Sequence, residues 1–127
     1  MAVSSPFAVG GGMWSSSTAT ERRTFNLVAD ATVFTDPLVT LRMPNLFFWF
    51  EQTGPPAINF ATVQMQYTVR AAPGGGDEWL DLTNPIALVA GPNIFNFHCP
   101  AVKIRASLTR VAGIATTVDL VLGCMAS

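Results

Sequence analysis

The stretch "FATVQMQYTVR", residues 60–70, decides the fold class, because apolar and polar side chains alternate along it. A period of two is that of a β-strand, in which successive side chains point to opposite faces. The sequence therefore predicts a strand with one face in a hydrophobic core and a polar opposite face. The apolar positions are Val63, Met65, Tyr67 and Val69, and the polar positions are Thr62, Gln64, Gln66 and Thr68.

Similar alternation recurs on both sides of this stretch. It is found in "TFNLVADATVF" (24–34), "VKIRASLTRV" (102–111) and "TTVDLVLG" (116–123), with shorter β-like runs between them. The runs are separated by turn sequences such as "PGGGD" (73–77) and "GPN" (91–93), and none has a helical period of 3.6 residues. About eight short strands predict an all-β fold, an antiparallel β-sandwich or jelly roll, over residues 24–127.

Residues 1–23 differ from the rest of the chain. They are rich in Ser, Thr, Gly and Ala and have no regular period. Three large apolar residues, Phe7, Met13 and Trp14, are spaced along this segment. We interpret it as an extended N-terminal arm that gains order by lying on another surface, and a disordered tail is the alternative.

Four aromatic residues follow one another in "LFFWFEQTG", residues 46–54. On a strand, two of the rings point to one face and two to the other. One pair can enter the core of the domain, so the second pair needs a cover, from loops, from the arm or from another subunit. The pattern predicts an interface that includes some of Phe47, Phe48, Trp49 and Phe50, without indicating which pair points outward.

The composition favours a subunit whose surface is covered by neighbours. Only 12% of the 127 residues are charged, against roughly 25% in a typical soluble domain, and the formal net charge is −1. No uninterrupted apolar run exceeds five residues, the length of the run at 46–50, which is far too short to span a bilayer. The first residues make a poor signal peptide, so synthesis and folding in a cytoplasm are expected.

The chain is poor in residues that perform chemistry. It has one histidine, His98, and two cysteines, Cys99 and Cys124, for which free thiols are favoured over a disulfide. No metal-ligand spacing, nucleophile motif or phosphate-binding loop is present. Lys103, Arg105 and Arg110 are too few for a nucleic-acid track. We therefore expect no enzyme activity, catalytic residue, metal or cofactor, and no nucleic-acid or membrane partner.

The order of features over residues 60–123 resembles small β-sandwich virion proteins of tailed bacteriophages. The features are "VQMQYTV", a glycine-rich loop, "EWLDL", a Gly-Pro turn and "PAVKIRASLTRVAGIATTVDLVLG". The resemblance implies a head decoration (cement) protein on the capsid surface, acting as a dimer or trimer that binds the major capsid protein. The alternative is a tail- or fibre-associated or carbohydrate-binding module, in which Trp14, Trp49 or Trp79 would stack on sugar rings.

Overall fold

The computed structural model describes residues 18–53 and 61–126, and these fold entirely as strands, turns and loops. The ten strands are β1 (Thr18–Leu27), β2 (Val33–Phe34), β3 (Leu38–Val39), β4 (Asn45–Thr53), β5 (Ala61–Thr68), β6 (Leu80–Asp81), β7 (Ile86–Ala87), β8 (Asn93–His98), β9 (Lys103–Arg110) and β10 (Thr116–Met125). Within the same residues, no helix is long and apolar enough to cross a membrane.

The strands form two antiparallel sheets. The first sheet has the order β1-β10-β4-β8. The second has the order β2-β9-β5-β6, and β3 and β7 pair with β9 and β5 at further positions along those strands. The ten strands therefore occupy eight positions, in agreement with the predicted β-sandwich of about eight strands.

The order of these positions is that of a jelly roll. The eight positions can be numbered in chain order. The first (β1) lies beside the eighth (β10) in one sheet, and the second (β2 with β3) lies beside the seventh (β9) in the other. Successive positions mostly alternate between the two sheets, so chain-distant strands become neighbours. The two sheets stay open and face each other, as in the double-sheet architecture of jelly rolls.

The core lies between the two sheets, where the alternating apolar side chains meet. Val63, Met65, Ile104, Leu108 and Leu120 are fully or almost fully buried there, as the period of two predicts. Each such side chain contributes about 1.5 to 3 kcal/mol relative to an exposed one. The first sheet adds a cluster of rings: the centroid of Phe48 lies 6.4 Å from that of Phe50 and 5.7 Å from that of Phe97.

The first strand begins earlier than the sequence pattern indicated. β1 pairs with β10 over ten positions, from Thr18↔Met125 to Thr116↔Leu27. Residues 18–23, which the pattern assigned to the arm, therefore lie in the sheet. The alternation of apolar and polar residues is not visible in the sequence there. The inward positions of this edge strand include Ala19 and Arg23, which are small or charged and are only partly buried. The rest of the predicted arm, with Phe7, Met13 and Trp14, lies outside the described residues.

Two of the described turns contain consecutive residues with left-handed backbone conformations. Gly74, Gly75 and Gly76 all have positive φ, of 92°, 104° and 74°, which explains the glycine triplet in the loop before β6. Leu41 and Arg42 also have positive φ, 49° and 64°, although they are not glycines. The amide of Met43 donates to the carbonyl of Thr40 at 2.9 Å and closes this second turn.

Candidate interaction surface

Strand β4 places its four rings on opposite sides of the first sheet. Phe48 and Phe50 point into the core and have no solvent exposure. Phe47 and Trp49 point outward and remain partly exposed. Of the four positions from which the sequence predicts an interface, only Phe47 and Trp49 reach the outer surface, because Phe48 and Phe50 are fully buried in the core.

Phe47 and Trp49 are part of a continuous outward surface. Trp49 has Val121 of β10 on one side and Ile94 of β8 on the other, each as its direct partner in the sheet. Ile94, on the edge strand β8, is 61% exposed. We call the surface formed by Phe47, Trp49, Ile94 and Val121 the apolar face.

Glycine at position 123 shapes this surface. Gly123 is the cross-strand partner of Phe47, and it has no side chain to occupy the outer side of β10. The ring of Phe47 fills that space and lies on the glycine backbone. An aromatic ring covering a cross-strand glycine is a recognised way to stabilise a sheet. It also fixes where the ring stands on the outer side of the sheet.

Polar groups border the apolar face. The guanidinium of Arg22 lies 5.9 Å from the centre of the Trp49 ring and 3.9 Å from a carboxylate oxygen of Asp119. A shallow hollow of about 330 Å³ lies between Arg22, Phe47, Trp49 and Ile94. A second hollow of about 510 Å³ adjoins it and reaches Met125 and His98. An apolar centre with a polar rim is the arrangement found at protein–protein contacts.

The outer face of the second sheet is polar instead. Its two central strands present Lys103, Arg105, Ser107 and Thr109 opposite Thr68, Gln66, Gln64 and Thr62. Lys103 pairs with Asp77 at 3.0 Å, and Arg110 pairs with Asp30 at 2.8 Å. These cations therefore have carboxylate partners within the chain.

Arg105 lies between two aromatic rings on this polar face. Its guanidinium carbon is 4.3 Å from the centre of the Phe34 ring and 4.2 Å from the centre of the Trp79 ring. Its Nε also donates to Oε1 of Gln66 at 2.8 Å. Desolvation between the rings lowers the pKa of Arg105, and Asp77 opposes that shift. The guanidinium thus covers one face of each ring and holds Phe34 and Trp79 in place.

Sequence reasoning did not find this stack. Phe34, Trp79 and Arg105 come from three separate parts of the chain, and no spacing relates them. The alternation in β9 indicated only that Arg105 points to the polar face. The three meet because β2 pairs with β9 and the segment before β6 folds beside β5.

The residues that could perform chemistry are dispersed. In the described parts of the chain, no group of three or more His, Cys, Asp and Glu residues could hold a metal ion. His98 is exposed, and its Nδ1 lies 3.3 Å from Oδ1 of Asn45. Cys99 and Cys124 are free thiols, and burial raises the pKa of both, which makes them weak nucleophiles at neutral pH.

Comparison with known proteins adds evidence on the fold. No protein-family model and no curated protein matches the chain. Among solved structures, the chain is similar to a chain from the structure of the infectious bursal disease virus Gx strain. The TM-score is 0.52 with 11% identity, and the match covers 87% of this chain and 32% of the viral one. This chain thus spans about a third of the viral chain.

A second solved structure, that of PirA, has a TM-score of 0.46 and 16% identity over 79% of this chain and 90% of PirA. That likeness is too distant to support an inference. At 11% identity, the likeness to the viral chain concerns the fold alone. The β-sandwich described above is therefore a fold that also occurs in a virus, at low sequence identity.

Proposed function

We propose that this protein is a structural subunit of a virus particle: a capsid decoration (cement) protein of a tailed bacteriophage that binds across neighbouring capsid subunits. The jelly-roll order of the strands supports this role, since capsid domains commonly use this architecture. The fold likeness to a chain of a virus agrees with it. Made in the host cytoplasm, the protein would reside on the outer surface of the head.

The apolar face is the observation that carries the proposal. Phe47 and Trp49 are partly exposed beside the 61%-exposed Ile94 on the outer side of the sheet, and Arg22 lies near the Trp49 ring. Clustered apolar side chains with a polar rim mark interaction sites rather than ordinary solvated surface. Covering them stabilises an assembly by about 25 cal/mol per Å² of apolar area removed from water.

The low charge of the chain supports the same role. With 12% charged residues and a net charge of −1, the protein has little electrostatic repulsion to keep copies apart in solution. A subunit that stays covered on a capsid does not need that repulsion. The partners that fit are the major capsid protein and further copies of this chain, in a dimer or trimer. Its mechanism would be burial of surface across subunit junctions, which resists the pressure of packaged DNA without any chemical step.

The test compares two matched surface variants. Trp49→Ser removes the largest ring from the apolar face, and Val39→Ser removes an apolar side chain that is 48% exposed on the second sheet. Each purified variant is mixed with phage heads assembled without this protein, and binding is measured by co-sedimentation. We expect wild type and Val39→Ser to bind, and Trp49→Ser to bind at least tenfold more weakly.

Electron cryo-microscopy of the decorated heads then locates the protein. We expect density for the sandwich on the outside of the shell, with the apolar face against a neighbouring subunit. A wild-type protein that stays monomeric by light scattering and never sediments with heads would contradict the proposal. Equal loss of binding in both variants would place the contact elsewhere.

A further inference from the structure

The outer face of the second sheet contains a groove that is separate from the apolar face. Its floor is formed by two neighbouring strands, with Ser107 paired to Gln64 and Thr109 paired to Thr62. Phe34 of β2 stands at one side, as the partner of Ser107 on the other edge of β9. The groove has a volume of about 220 Å³, smaller than the roughly 300 to 1,000 Å³ of sites for drug-sized ligands. It is of a size for a single small ring.

The chemistry of the groove is neutral and rich in hydrogen-bonding groups. Its lining consists of hydroxyl, carboxamide and apolar side chains, and none of the lining residues carries a charge. The nearest cations and carboxylates are engaged with one another or with amides, as in the bonds from Arg105 to Gln66 and from Gln66 to Asp81. A charged ligand would find no counter-charge there, whereas a neutral polyol would find both donors and acceptors.

Part of this hydrogen-bonding capacity is unused. The amide nitrogen of Gln64 donates to the carbonyl of Thr83 at 3.0 Å, which fixes the side chain and leaves its own carbonyl oxygen available. The hydroxyls of Thr32 and Thr109 bond to each other at 3.0 Å. Among the described residues, the hydroxyls of Thr62 and Ser107 have no side-chain hydrogen bond to the protein. Ser107 is only 8% exposed, so its hydroxyl stands at the bottom of the groove.

The aromatic wall is held in place. Phe34 is 50% exposed, yet the Arg105 guanidinium packs against its ring at 4.3 Å and is itself backed by Trp79. Because Arg105 holds the Phe34 ring and the Thr83 carbonyl holds the Gln64 amide, fewer protein side chains must be ordered on binding, which lowers its entropy cost. Aromatic surfaces also pack against the C–H faces of sugar rings, while the hydroxyls of the sugar bond to polar groups around them.

From these observations we propose that the groove between Phe34, Gln64 and Ser107 binds a neutral sugar unit. The proposal goes beyond the structural role above and uses a different face of the sandwich. A decoration subunit seated by its apolar face would carry this groove on the opposite side, where a saccharide could reach it. The proposal moves sugar recognition away from Trp49 and Trp79 to a site that contains neither.

The experiment is a titration followed by ¹H–¹⁵N NMR. The full-length protein is mixed with neutral monosaccharides (glucose, galactose, mannose and N-acetylglucosamine) and with the hexasaccharides maltohexaose, cellohexaose, mannohexaose and chitohexaose. We expect at least one sugar to bind with a Kd in the micromolar to millimolar range and to shift the amide signals of residues 62–66 and 105–109. Binding of both a monosaccharide and its hexamer indicates recognition of one ring, and binding of the hexamer alone indicates recognition along a chain.

Variants then locate the site. Phe34→Ala, Gln64→Ala and Ser107→Val are each expected to weaken binding at least tenfold, while Trp49→Ser on the opposite face leaves it unchanged. A spectrum with native dispersion confirms that each variant is folded. If one variant fails to fold, the other two still test the site. The proposal is overturned if no sugar in the panel shifts the wild-type signals at 10 mM, which is about ten times the weakest expected Kd. Loss of binding in Trp49→Ser with retention in Gln64→Ala would also overturn it. Neither result affects the capsid-binding test.

Discussion

The ring of Phe47 lies directly over Gly123 of the neighbouring strand. A Cβ on Gly123 would collide with the far end of the Phe47 ring, so any side chain at this position must displace the ring. The two residues are register partners in the first sheet. A glycine in the middle of a strand normally weakens it, but here it allows a close approach of a neighbouring group. Gly123 therefore positions one of the main rings of the apolar face.

Gly123→Ala should separate folding from assembly. The colliding atoms belong to the far end of an outward-pointing side chain, so the ring can swing away, and the strand loses the entropic penalty of glycine. We expect the free energy of unfolding, from urea denaturation, to change by less than about 1 kcal/mol. Binding to undecorated heads should weaken because the ring no longer stands in the same place.

The control for this prediction is Gly113→Ala, at a position where an added Cβ meets no atom within 4 Å but φ is +80°. That variant should destabilise the fold through backbone strain and leave the apolar face intact. A Gly123→Ala protein that binds heads as well as wild type would show that the position of the Phe47 ring is unimportant for assembly.

Phe48→Ala and Ile94→Ala should differ sharply although both remove an apolar side chain from the first sheet. Phe48 is fully buried and contacts the Phe97 ring edge-on, so its truncation leaves a cavity and should cost about 3 to 5 kcal/mol. Ile94 is 61% exposed, and its truncation should cost less than about 1 kcal/mol. Urea denaturation measures both. Equal destabilisation would mean that the outward side of the sheet is covered within the chain.

This contrast also marks how far the sequence could lead. The alternation in "FATVQMQYTVR" predicted the buried side of β5 correctly, since Val63 and Met65 lie in the core. In "LFFWFEQTG" the four consecutive residues 47–50 are all aromatic, so no alternation with polar residues marks the outward face. Only the pairing with β10 reveals that Phe48 and Phe50 point inward. The start of β1 was missed because Thr18–Arg23 carry small or charged side chains. The groove beside Phe34 unites residues that are distant along the chain.

The turn at Leu41 and Arg42 should be improvable by substitution. Both residues have positive φ, which costs non-glycine residues on the order of 1 kcal/mol or more each, and Leu41 is also 73% exposed. Asn and Gly are the residues that this pair of conformations favours. We expect the double variant Leu41→Asn, Arg42→Gly to raise the free energy of unfolding by about 1 kcal/mol.

The matched control for the turn is the double variant Leu41→Ala, Arg42→Ala. It removes the same side chains but keeps residues that avoid positive φ, so its stability should stay near or below that of wild type. If both double variants raised the free energy of unfolding equally, removal of the exposed Leu41 side chain, rather than the backbone conformation, would explain the change.

Asp30 should make part of the stability depend on acid pH. The Gly113 amide and, next, the Arg110 guanidinium donate to its carboxylate and hold its pKa below the ordinary value. A carboxyl with a lowered folded-state pKa stabilises the fold above its unfolded-state pKa of about 3.9, and the effect is lost as the pH falls through the folded-state pKa. Wild type should therefore melt higher than Asp30→Asn at pH 6, and the difference should shrink steadily below pH 4. A Tm difference that is constant from pH 6 to pH 2.5 would contradict this assignment.

The charges around the apolar face have a kinetic consequence. One cation, Arg22, stands near two outward carboxylates, Asp119 and its cross-strand partner Glu51, so the potential over this surface is weak and mixed in sign. Without electrostatic steering, two proteins associate at about 10⁵ to 10⁶ M⁻¹s⁻¹, and added salt changes that rate little. Tight attachment must then come from slow release. Under the proposed function, we expect the rate of attachment to depend on the concentration of the protein rather than on ionic strength, and its lifetime to depend on how slowly the buried rings are exposed to water again.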